Sequence, residues 1–175
     1  MIPFSMLQQV VDHTPVYVWG LLMFCLVMGV KQSQDQQLSR QRLLIVPAIW
    51  TAFGLWGVAS AFGLQAQNLA AWALGLGLVI ATLRQTPWPR GVSFDRRSGL
   101  FHVPGSWGPM VMIMAIFMAK YLVGASLAML PQLAQATAFG LAVSALYGAL
   151  SGLFIARSLS ILRHGGGAVA RLSAA

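Results

Sequence analysis

Five runs of this chain, roughly residues 15–32, 43–64, 69–84, 107–130 and 137–157, are apolar almost throughout. Each is close to the ~20 residues a helix needs to cross a hydrocarbon core. In such a solvent every backbone N–H and C=O must be satisfied within the segment, which helices do and isolated strands do not. The expected fold is therefore all-α: one integral membrane domain over residues 1–175 with five transmembrane helices. The third run is short and needs a turn from its neighbours. Residues 158–175 read as a basic, flexible cytoplasmic tail. Only 8% of the residues are charged and 58% are hydrophobic, against roughly 25% charged in soluble domains. The lipid bilayer is thus the first partner the sequence implies.

The links 65–68 and 131–137 are tight and uncharged, while the other two are long and basic. Lys31, Arg40 and Arg42 lie between runs one and two, and Arg84, Arg90, Arg96 and Arg97 between runs three and four. Arg157, Arg163 and Arg171 follow run five. These regions fall on one side of a five-span chain, and the positive-inside rule makes that side cytoplasmic. The topology is N-out, C-in. A net charge of +8 spread this way does not form a nucleic-acid patch, and no nucleic-acid partner is expected. The start "MIPFSMLQQVVDHTPVYVW" has no basic n-region, so no cleaved signal peptide is expected. Residues 2–11 are mildly amphipathic.

Local signals support the spans. Thr14 is placed to cap the first helix with Pro15 at its first position, and Ser106 to cap the fourth with Pro109 in the tolerant first turn. Trp19, Trp72, Trp88 and Trp107 fall near expected interfaces. In the link before run four, "VSFD" and "LFHV" flank "RRSG". That pattern predicts a short cytoplasmic β-hairpin with Gly99 in the left-handed region.

Small residues recur every fourth position in run five, at Gly140, Ser144, Gly148, Gly152 and Ala156. A shorter series, Ala73, Gly77 and Ala81, occupies run three. Such stripes let helix backbones approach closely. One is expected to pack within the chain and the other to form a homodimer.

Lys120 interrupts run four. It lies ~20 Å beyond Trp107 and ~15 Å short of Leu130 along the helix, well inside the core. Lysine near the centre costs about 2.5–3.5 kcal/mol on insertion scales. All three acids are aspartates, and none falls within a run. The ammonium either snorkels outward, to headgroups or Asp12, or faces neighbouring helices. Gly124 and Ala128, on its own face, favour a protein-facing seam. There an anionic ligand would be its partner, with Tyr121, Ser126 and Tyr147 completing the site.

Other chemistry is thin. Met110, Met114 and Met118 form a stripe, and Met23, Cys25 and Met28 sit in run one. Thioethers bind Cu(I), yet methionine more often fills cores, so no metal or cofactor is expected. His13, His102 and His164 fall on different elements, paired carboxylates are lacking, and "GASLA" is a degraded nucleophile elbow without a histidine. No catalytic residue is assigned, and the balance leans away from an enzyme.

Two motifs carry a resemblance over most of the chain. His13, Thr14 and Pro15 form the first, and Gly105, Ser106, Trp107, Pro109, Phe117, Lys120 and Tyr121 the second. With them the chain resembles a family of small bacterial inner-membrane proteins of unknown function. The resemblance implies a multi-pass protein of the bacterial inner membrane and supplies no activity. The expected function is binding or transport of a small anionic or amphiphilic molecule at Lys120. The alternatives are a non-catalytic assembly subunit and, third, a metal or redox handling protein.

Overall fold

The computed structural model describes residues 15–84, 86, 89, 91–95 and 97–172, the last stretch from 164 onward as backbone alone. Five helices are long and apolar enough to cross a membrane. They are α1 (Val16–Ser33), α2 (Arg40–Phe62), α3 (Ala66–Leu83), α4 (Gly108–Met129) and α5 (Thr137–Leu172). Three strands, β1 (Gln36–Leu38), β2 (Ser93–Asp95) and β3 (Leu100–Val103), make a small antiparallel sheet in the order β1-β3-β2. A 3₁₀ turn, Pro131–Gln135, joins α4 to α5 at the far end. The expectations at residues 2–11, Asp12, His13, Thr14, Trp88, Arg90 and Arg96, and those at the side chains of His164 and Arg171, lie outside what is described.

Helix boundaries follow from local chemistry. Ser39 Oγ accepts the Arg42 N–H at 3.3 Å and caps α2, satisfying one of the orphan donors of a first turn. Gly63 ends the same helix at φ +73°, a conformation that costs glycine little. α3 begins a turn before the expected residue 69, which supplies the length that run lacked. Pro15 is the N-cap of α1 and not its first residue. Ser106 does not cap α4: Trp107 occupies that position without a side-chain cap, and Ser106 Oγ is buried with no hydrogen-bond partner among the described residues. Pro109 sits in the first turn, where its missing N–H is harmless.

The hairpin is present, with Gly99 at φ +69°. Asp95 accepts the Arg97 N–H at 2.9 Å and the Ser98 hydroxyl at 2.7 Å. These bonds favour the carboxylate and hold its pKa below the usual value. The third strand was not expected. "QQL" carries little strand signal, but β3 offers an open edge, and β1 pairs with it at Gln37↔His102. Asp35 then fixes the link, accepting the Gly105 N–H at 2.6 Å.

Beneath the sheet, Leu38, Leu43, Phe101, Val103 and Ile161 form a buried cluster. Ile161 is fully buried, so residues 158–163 belong to the folded body and not to a tail. The helix continues past the expected end at 157 because the apolar positions of "SLSILR" keep a buried face beneath the sheet. Arg163 Nη1 donates to Arg84 O at 3.2 Å, covering a carbonyl at the end of α3.

α5 is the central helix, with α3 and α2 packed on it. A Cβ on Gly148 would run into the Trp72 carbonyl, one on Gly75 into the Ala145 carbonyl, and one on Gly152 would come within 2.8 Å of Leu76 O. A Cβ on Gly140 would stand 3.3 Å from Asn68 Oδ1, and Ser144 is fully buried. The run-five stripe therefore packs within the chain, against α3. The α3 stripe does not: Ala73, Gly77 and Ala81 are exposed, and nothing lies within 4 Å of a Cβ at Gly77. Trp72 was expected in an interfacial belt and instead packs inward, beside Tyr147 and its neighbours.

The two glycines separate packing from propensity. Gly148→Ala forces a methyl against backbone and is expected to cost about 1–3 kcal/mol, as overpacking does. Gly77→Ala meets open space and is expected to be neutral or to stabilise by up to about 1 kcal/mol. Unfolding of the purified protein in mixed detergent micelles measures both.

Candidate functional site

Lys120 lies on α4 some ~15 Å along the helix from its Leu130 end. Its side chain turns toward the bundle. Nζ is 3.5 Å from the Phe53 carbonyl of α2 and 4.9 Å from the centre of the Tyr147 ring of α5. Three helices thus meet around one ammonium. A glycine makes the meeting possible: a Cβ on Gly57 would stand 2.7 Å from Nζ and 2.9 Å from the Tyr147 ring. Gly54, one turn away on the same face, is matched to Ser151 in the same manner, at 2.5 Å. Ser151 in turn donates to Tyr147 O at 2.9 Å. Tyr147 is 6% exposed and packed against Val58, Phe62, Val123 and Val143. Its ring face is therefore fixed as a floor for the cation, an arrangement worth about 0.5–2 kcal/mol depending on desolvation.

Among the described residues no carboxylate is near. The two described aspartates, Asp35 and Asp95, are engaged at the sheet end. The ammonium has three N–H donors; one long carbonyl contact and one ring face leave room for a further acceptor.

The other side of Lys120 borders a cleft of about 1080 Å³ between α1, α2 and α4. Trp50 and Phe53 line it from α2, Leu21 and Phe24 from α1, and Phe117 and Tyr121 from α4. Tyr121 stacks on Phe117 with ring centres 6.1 Å apart. The cleft exists because α1 is held mainly by α4, near the sheet end, where a Cβ on Gly29 would stand 3.0 Å from Met110 and where Cys25 joins Met112, Ile113 and Phe154. Toward its Val16 end, α1 stands clear of the bundle: Val16 is 86% and Tyr17 74% exposed.

Two expectations change here. Gly124 and Ala128 do not form a packed seam; both are exposed and line the cleft, and nothing lies within 4 Å of a Cβ at Gly124. Small residues on this face make space in place of contact. Ser126 does not turn toward Lys120, since its hydroxyl donates to Leu122 O at 2.7 Å within α4. Lys120 and Tyr147 come together, while Tyr121 lines the cleft on the other side of Lys120. Of the methionines, Met110 packs on α1, Met114 lies against the cluster that holds Cys25 and Met112, and Met118 and Met23 are exposed.

Phe53, Gly54 and Gly57 were not singled out by sequence. The available signal was a glycine pair three residues apart, which falls on one helix face, at the same depth as Lys120.

A model described as "Family of unknown function (DUF6622)" matches residues 3–171. The chain belongs to this family. No curated protein and no solved structure matches it.

The chain has two lysines, Lys31 and Lys120, so isotope-labelled lysine gives one resonance set for each. The ring below Nζ is expected to shift the Lys120 Cε and Hε signals upfield of those of Lys31. Gly57→Ala is expected to move them back toward the Lys31 position by displacing the ammonium. An unchanged spectrum would contradict the contact.

Proposed function

We propose that this chain is a multi-pass protein of the bacterial inner membrane that binds or translocates a small anionic or amphiphilic molecule at Lys120. The supporting observation is a single cation set between an apolar cleft and a π face, with no carboxylate of the described chain beside it. A buried charge needs a counter-charge or a full set of hydrogen bonds; a ligand anion supplies both. Orientation follows from charge. Lys31, Arg40, Arg42, Arg84, Arg97, Arg157 and Arg163 all belong to the sheet end of the bundle, and the positive-inside rule puts that end in the cytoplasm. The cleft then opens in the outer half of the bilayer. The likeness of the two motifs to bacterial inner-membrane proteins supports the location.

A second reading is supported by the exposed stripe Ala73, Gly77 and Ala81 on α3. Small residues on an outer helix face suit a homodimer, or assembly with another membrane helix.

Native mass spectrometry of the purified protein tests the first reading, with acetate, phosphate, octanoate and the copurifying lipids as probes. Anionic adducts are expected on the wild type and on Lys31→Met. Lys120→Met is expected to lose them by roughly 10–100-fold, the size of a hydrogen bond to a charged group. Equal adduct profiles for all three proteins would overturn the reading.

A further inference from the structure

The shape of the cleft narrows the ligand class, and this step rests on the reading of Lys120 as an anion site. The lining along α4 runs from Ile113 to Met129, which is ~24 Å of helix. Lys120 stands near the middle, ~10 Å from one end and ~13 Å from the other. A volume of about 1080 Å³ is at the top of the usual range for small-molecule sites, about 300–1,000 Å³. Apart from the ammonium, the lining side chains that carry polar groups are Tyr17 and Tyr121 with their phenols, Trp50 with its indole N–H, and Cys25 with its thiol.

A compact hydrophilic anion fits such walls badly. Phosphate or a dicarboxylate would exchange its hydration shell for one ammonium and leave most of its oxygens against hydrocarbon, a cost of several kcal/mol per ion in real interiors. A molecule with one anionic group and a long apolar remainder meets no such penalty. Its head pairs with Lys120 and its chain covers the walls. Room for that chain is written into α4 beyond the lysine, where Gly124, Ala125 and Ala128 line the cleft with almost no side-chain volume.

We infer that the cleft takes a single-chain amphiphile with one anionic head group. The head lies on Lys120 Nζ, above the Tyr147 ring, and the chain runs along Gly124, Ala125 and Ala128 between α1 and α4. α1, loosely held at its Val16 end, forms the wall through which the chain slips in sideways.

The test uses the full chain in nanodiscs, with labelled lysine, titrated with linear alkanoates of four, six, eight and ten carbons and with the matching alcohols. Affinities are read from the Lys120 resonances against free aqueous ligand. Affinity for alkanoates is expected to rise about fourfold per added methylene, with each alcohol at least tenfold weaker than its alkanoate. Gly124→Leu and Ala128→Phe are expected to weaken decanoate at least tenfold while leaving butanoate unchanged. Because Gly124 faces open space, its replacement is not expected to disturb folding. If Lys120 responds to all alkanoates with equal affinity, or if the filled variants keep the full chain-length dependence, the single-chain inference is overturned and the anion site stands. If Lys120 responds to no anion, both fall.

Discussion

The arrangement turns on one ammonium group that has three helices around it and, among the described residues, no acid. Lys120 reaches from α4 into the junction of α2 and α5, where a backbone carbonyl and an aromatic face receive it. Each neighbour is constrained in turn. Gly57 has no side chain because the ammonium and the Tyr147 ring occupy that space. Tyr147 is walled in by apolar residues from three helices and so cannot swing away. Neither contact neutralises the charge. In water that would matter little, but a bundle of apolar helices screens the charge far less.

The rest of the fold divides into a tight side and an open side. On the tight side, glycines of α3 and α5 bring the two backbones together, and α2 closes against α5 through Gly54 and Gly57. On the open side α1 depends on α4 for support, chiefly near the sheet. The sheet ties the α1–α2 link to the α3–α4 link and lays both over the end of α5. One end of the molecule is thus tied by the sheet, and the cleft lies toward the other end, where α1 is most exposed. Polar cross-links at the tied end, such as Asp35 to the Gly105 N–H, are where such bonds are least costly to satisfy.

Much of the frame was legible because it rests on one-dimensional signals. Apolar run length located all five helices, and "RRSG" between alternating segments located the hairpin. The run-five stripe identified a packing face. What sequence could not supply were relations between elements. β1 forms because β3 has an edge to fill, not because "QQL" favours a strand. The face of α3 that packs carries Asn68, Trp72 and Gly75, while the periodic series at Ala73, Gly77 and Ala81 faces outward. Small residues likewise mean contact at Gly148 and vacancy at Gly124, and spacing alone does not distinguish the two. Lys120 was conspicuous as a charge in an apolar run; its receptors Phe53 and Gly57 were not, because a carbonyl and an absent Cβ leave no compositional trace.

The central claim is that the ammonium faces inward and completes its coordination with a ligand anion. A density map of the wild-type protein in nanodiscs, with decanoate added, tests it most directly. The account predicts Nζ between the Phe53 carbonyl and the Tyr147 ring, with elongated density from Nζ along Gly124 and Ala128. A side chain extended away from α2 and α5 toward the bilayer surface, with the cleft filled by lipid acyl chains alone, would contradict it.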